Sequence, residues 1–144
     1  MRSGSIYLVV KDFDRSVDFY EKILEMKVSA ANGKRFAMFH QEGLNLCLLN
    51  GLYDEQHPEQ KETKGGSYPE YDDTVRIVHA ENNRKVFINL GVDDLDREHR
   101  RIAELGIGSG LTSIRYLHVF SPYWYFTLKD PDGNPVEITG THEE

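Results

Sequence analysis

A single cysteine, Cys47, leaves no partner for an internal disulfide and fits a reducing compartment. Long apolar runs are also missing. None approaches the length of a membrane span, and the start, Met1-Arg-Ser-Gly-Ser5, enters a strand pattern without an apolar signal region. A soluble, cytoplasmic protein without membrane contact is expected. Positive charge is scarce: 17 Lys and Arg stand against 24 Asp and Glu, a net charge of −7. That balance argues against a nucleic-acid partner and suits neutral or cationic ligands, although it serves plain solubility as well. The six histidines show no His-x-x-x-His spacing, so no helix offers a ready-made metal pair.

What the sequence has is a duplication. Ile6-Tyr-Leu-Val-Val-Lys-Asp-Phe-Asp-Arg15 recurs as Ile88-Asn-Leu-Gly-Val-Asp-Asp-Leu-Asp-Arg97, with Asp12, Asp14 and Arg15 mapping onto Asp94, Asp96 and Arg97. Such a repeat predicts two modules of one plan, with a cavity at their junction. In the first module Ile6, Leu8 and Val10 mark one strand face and Asp12 is an N-cap. Phe13, Val17, Tyr20 and Leu24 then form a helical stripe. In the second, Ile88, Leu90 and Val92 mark the strand, and Asp94 caps. Leu95, His99, Ile102 and Leu105 form the stripe, and Gly106 ends the helix. Period two returns near 26–30, 34–39 and 44–49, and again near 111–118, 123–129 and 135–139. The turns His40-Gln-Glu-Gly43 and Asp130-Pro-Asp-Gly133 also correspond.

Each module therefore reads strand, helix, three strands: 5–50 for the first and 86–140 for the second, within one domain spanning 1–144. Between them, 51–85 is polar and too long for a simple connection, which leaves a mobile linker or a lid. Its Thr74-Val-Arg-Ile-Val78 alternates like an extra strand and is also compatible with a short helix.

The Val-x-Asp-(Phe/Leu)-Asp turn in each module, Ser16-Val-Asp-Phe-Tyr-Glu-Lys-Ile-Leu24 and the closing Asp130-Pro-Asp-Gly-Asn-Pro-Val-Glu-Ile138 together resemble one family. It is the glyoxalase, bleomycin resistance and extradiol dioxygenase superfamily, also called vicinal oxygen chelate. The resemblance covers nearly everything outside 51–85. It implies an α+β, glyoxalase-like fold in which tandem βαβββ modules curl an eight-stranded mixed sheet around a cavity, helices outside, usually in a homodimer. It leaves the reaction open, because the superfamily includes isomerases, thiol transferases, dioxygenases and binders.

Enzymes of that superfamily hold a divalent ion with residues on the first and last strands of the modules, typically histidines and a glutamate. Here the resemblance puts Ser5 and Phe87 at the first-strand positions and Cys47 and Glu137 at the last. A hydroxyl, a phenyl ring, a thiol and one carboxylate do not make the roughly three firm ligands such an ion needs. No metal and no other cofactor is therefore expected. The expected ligand-binding residues are Ser5, Tyr7, Cys47, Phe87, Asn89, Trp124 and Glu137. Trp124 has the parity of Phe126 and reads equally as core; Glu137 reads equally as a surface carboxylate. His118, between Tyr116 and Phe120, is the histidine best placed to face a cavity.

Three functions remain. One is a metal-free protein that sequesters an aromatic or cationic small molecule, with Glu137 as counter-charge. Another is a metal-dependent lyase, isomerase or dioxygenase whose ligands are relocated to His118, His57 or His79. The third is metal-free catalysis with Glu137 as general base, and Glu137 is the single catalytic candidate. The missing ligands favour the first over the second.

Overall fold

The computed structural model describes residues 4–60, 74–81, 85–118 and 122–143. They fall into two units, Met1–Glu81 and Asn82–Glu144. The first contains β1 (Ser5–Val10), α1 (Phe13–Ile23), β2 (Ala30–Asn32), β3 (Phe36–Gln41) and β4 (Leu44–Asn50). Helix α2 (Tyr53–Gln56), a 3-10 turn (Pro58–Gln60) and α3 (Thr74–His79) follow. The second contains β5 (Ile88–Asp94), α4 (Leu95–Leu105), β6 (Arg115–His118), β7 (Pro122–Lys129) and β8 (Pro135–Thr141).

Each unit is a βαβββ module, as the repeat predicts. Hydrogen bonding divides the eight strands into two mixed sheets of four, ordered β1-β4-β3-β2 and β5-β8-β7-β6. In each, the first strand runs parallel to the last and the remaining pairs are antiparallel. The helix between first and second strands supplies the crossover that a parallel pair requires.

The capping chemistry is duplicated with the topology. Asp12 accepts a hydrogen bond from the Arg15 amide at 3.1 Å, and Asp94 accepts one from the Arg97 amide at 2.9 Å. Both satisfy an amide that a helix start leaves without a carbonyl. Gly106 closes α4 in the left-handed region, φ 59°, with its amide donating to the Ile102 carbonyl. Helix α1 ends otherwise: Glu25, at φ 51°, takes the left-handed turn without being glycine.

The core of each module lies between helix and sheet. In the first, Phe13, Tyr20 and Ile23 of α1 are buried with Val10, Ala37, Phe39, Leu46 and Leu48 of the strands. Phe19 is buried too, its ring edge-on to Tyr20. Of the expected stripe, Val17 and Leu24 are only half-buried, and Ser16 takes a core position instead. In the second module Leu95 and Ile102 are buried with Phe126, Leu128, Val136 and Ile138, whereas Leu105 stays 44% exposed. His99 stands edge-on to Phe126 and bonds the Thr112 carbonyl at 2.8 Å, a packed structural histidine.

The Asp130–Gly133 turn is held by its own aspartate. The Asp130 carboxylate accepts from the amides of Asp132 and Asn134 and from the Asn134 side chain, at 2.8–2.9 Å. Gly133 adopts φ 82°, where a side chain would be strained.

Of the polar segment 51–85, residues 61–73 and 82–84 lie outside the described residues, so the choice between linker and lid falls there. The ambiguous 74–78 stretch is helical, α3. Its apolar residues read as a strand by alternation, but tertiary contact decides: Val78 sits against Gly51 and Val9. A Cβ on Gly51 would lie 2.6 Å from the Val78 Cβ and 2.8 Å from Val9 Cγ1, so only glycine admits this helix.

Candidate functional site

Strand register brings the two strongest polar candidates together. β5 pairs with β8 so that Asn89 lies beside Glu137, and β7 places Thr127 on the other side of Glu137. These residues share the sheet face opposite to Phe126, Leu128, Val136 and Ile138, because side chains alternate along each strand. The equivalent place in the first module holds Cys47, with Tyr7 on β1 and Met38 on β3 beside it. Cys47 and Glu137 are thus counterparts, one a buried thiol and the other a half-exposed carboxylate.

Around Glu137 the hydrogen bonds close into a triangle. The Asn89 side-chain nitrogen donates to Glu137 Oε1 at 2.8 Å, and the Tyr123 hydroxyl donates to the same oxygen at 2.8 Å. Asn89 also donates to the Tyr123 oxygen at 3.0 Å. The three atoms stand at the corners of a near-equilateral triangle, so the Asn89 N–H is shared between the two oxygens as a three-centre contact. Glu137 Oε2 makes no hydrogen bond among the described residues. Tyr125 shares the face, its ring 5.8 Å from that of Tyr123, and Arg115 on β6 pairs with it. The result is a carboxylate with one oxygen locked by neutral donors and one open, beside two phenol rings.

The other expected site residues are placed as follows. Ser5, Tyr7 and Cys47 lie on one face of the first sheet, where Tyr7 is 58% exposed and tilts against Phe36 with ring centres 6.5 Å apart. Phe87 precedes β5 and is half-exposed. Trp124 is separated from Glu137 by the sheet itself. It shares the parity of Phe126, and its ring packs on His142 at 4.5 Å and Tyr116 at 4.8 Å. Of the two readings of Trp124, this packing is the core-like one, and on β7 it is Tyr123 that bonds the carboxylate. The alternation of Tyr123, Tyr125 and Thr127 against Phe126 and Leu128 carries that signal in the sequence.

Three further histidines are engaged elsewhere. His40 contacts Asn45 Oδ1 at 2.6 Å, His57 lies 3.6 Å from Glu59 and stacks with Tyr53, and His142 contacts Asp96 at 2.9 Å. The side chain of His118 lies outside the described residues. No group of three His, Cys, Asp or Glu side chains among the described residues is arranged to hold a metal ion. No helix among them is long and apolar enough to cross a membrane.

A surface cavity of about 420 Å³ lies elsewhere, lined by Asp93, Asp94, Asp96, Arg100, Thr141 and Glu143. Its acids have structural work. Asp94 caps α4, and the hydrogen bond from His142 holds the Asp96 carboxyl below its ordinary pKa, helped by the Glu143 amide.

Comparison with known proteins agrees with the motifs. The family model of the Glyoxalase/Bleomycin resistance protein/Dioxygenase superfamily matches residues 2–138. The fold is similar to that of a lactoylglutathione lyase from Agrobacterium tumefaciens, at 16% identity and TM-score 0.64, covering 94% of this chain and 90% of that one. It is equally similar to a bleomycin resistance determinant encoded on the transposon Tn5, at 16% identity and TM-score 0.60, covering 99% and 100%. A glyoxalase/bleomycin resistance protein from Catenulispora acidiphila aligns over 99% and 100%, with 16% identity and TM-score 0.58. A search of curated proteins gave no match. At these identities the structural likenesses establish the fold.

Proposed function

The chain belongs to the Glyoxalase/Bleomycin resistance protein/Dioxygenase superfamily, and on that premise we propose that it binds a small aromatic or cationic molecule and holds it unchanged, as resistance-type sequestration requires. The observation that carries this reading is the half-occupied carboxylate of Glu137. Asn89 and Tyr123 fix Oε1, and Oε2 stays available to an incoming donor beside two tyrosine rings. A charge-assisted hydrogen bond at such a carboxylate is worth roughly 1.5–3 kcal/mol, enough to orient a ligand held otherwise by its apolar body.

The divalent ion of the superfamily's enzymes does not fit this donor set. Ser5 offers a neutral hydroxyl, Cys47 a buried thiol, Phe87 a hydrocarbon ring, and Glu137 a carboxylate already accepting two hydrogen bonds on one oxygen. A catalytic ion needs about three firm protein ligands. The protein acts in the cytosol, where a lone thiol stays reduced, and as the homodimer that the family resemblance implies.

One thermal-shift plate tests the reading, carrying divalent metals, α-keto aldehydes, thiols and cationic aromatic compounds. Stabilisation by cationic aromatics in the presence of EDTA is the expected result. Retention of one divalent ion per chain, with added metal raising the melting temperature, would contradict it.

A further inference from the structure

We infer that Tyr123 and Asn89 set the ligand class that Glu137 accepts: a protonated amine, which bonds through one N–H to one oxygen, in preference to a guanidinium or amidinium. This rests on the binding function proposed above and concerns the same carboxylate.

The chemistry follows from how the two carboxylate oxygens are occupied. Guanidinium and amidinium groups present parallel N–H bonds and gain their advantage by engaging both oxygens of a carboxylate together. Glu137 has only one oxygen to give. Oε1 already accepts from two donors standing side by side, Asn89 at 2.8 Å and Tyr123 at 2.8 Å. A forked cation must displace one of these donors. Displacing Tyr123 opens the triangle, because its oxygen also accepts from Asn89 at 3.0 Å. A compact ammonium needs only Oε2 and leaves the triangle intact. A quaternary ammonium has no N–H and forgoes the bond altogether. The adjoining Tyr123 and Tyr125 rings, 5.8 Å apart on the same face, favour an ammonium carried on a flat apolar body.

The test is calorimetric titration of the full chain with benzylammonium, benzamidinium and benzyltrimethylammonium. Benzylammonium should bind about tenfold more tightly than either of the others, the yield of one well-made charge-assisted bond. Tyr123→Phe removes one donor and uncrowds Oε1, so the gap between benzylammonium and benzamidinium should narrow or reverse. Asn89→Ala should shift the preference in the same direction, which guards against one variant failing to fold. Benzamidinium binding the wild type as tightly as benzylammonium would overturn the inference and leave the binding function standing. An unchanged gap in both folded variants would also overturn it. Binding of none of the three cations would overturn the proposed function, and the inference with it.

Discussion

The Tyr123 hydroxyl meets Glu137 Oε1 at 2.8 Å although the two residues are out of register, Thr127 being the β7 partner of Glu137. The phenol therefore runs along the sheet past Tyr125 rather than straight across to β8. A long side chain thus completes a site that backbone pairing alone does not assemble. It also makes Glu137 separable into two roles, one oxygen structural and the other free.

That separation gives the first prediction. Glu137→Gln retains a carbonyl oxygen for Asn89 and Tyr123 and should leave stability nearly unchanged. Glu137→Leu removes the acceptor and should cost about 1 kcal/mol, moderated by the access of both donors to water. Chemical denaturation of the two variants checks this. Equal and large losses would make the residue a structural one.

Gly51 supplies the second. With the Val78 Cβ only 2.6 Å from where a Gly51 Cβ would stand, Gly51→Ala should push α3 off the module. Overpacking of this kind costs about 1–3 kcal/mol. Because α3 is short and peripheral, the loss should appear as faster hydrogen exchange in Thr74–His79 more than as a lower global midpoint. Unchanged exchange there would show that the contact does not hold the helix.

The third concerns the α4 cap. Asp94→Ala should destabilise the protein by about 1 kcal/mol, and Asp94→Asn by much less, since the amide oxygen still accepts from the Arg97 amide. Denaturant midpoints for both variants decide it. Equal losses would mean that charge, not capping, matters at this position.

Asp96 and His142 give the fourth. The hydrogen bond from His142 lowers the folded-state pKa of Asp96 below its unfolded value. A depressed carboxyl contributes stability that is fully present above the unfolded carboxylate range and is lost as pH falls through the folded value. His142→Ala should therefore lower stability at neutral pH, and its deficit relative to wild type should shrink below the ordinary carboxylate range. A deficit constant down to strongly acidic pH would assign the effect to the lost Trp124–His142 ring contact instead.

Much of this architecture is legible in the sequence because it rests on local chemistry. The caps at Asp12 and Asp94, the left-handed Gly106 and the Asp130–Gly133 turn each follow from one residue's hydrogen-bonding or conformational preference. Alternation also places Asn89 and Glu137 on one face, as register confirms. Alternation also puts Tyr123 on that face, but it cannot give how far a side chain slants along a sheet, so the bond from Tyr123 to Glu137 is not legible in the sequence. Nor does it give tertiary override: Val75 and Ile77 alternate like a strand, yet docking of Val78 on Gly51 favours a helix. Helical spacing likewise extends the α4 stripe to Leu105, which stays exposed at the helix end.

The most direct measurement is the equilibrium affinity of benzylammonium for wild type and Glu137→Gln, each with EDTA and with an added divalent metal. The expected result is binding indifferent to EDTA and weakened about tenfold or more by the loss of charge. Binding that requires the metal, or that is indifferent to Glu137→Gln, would contradict the assignment of Glu137 as a metal-free, ligand-facing carboxylate.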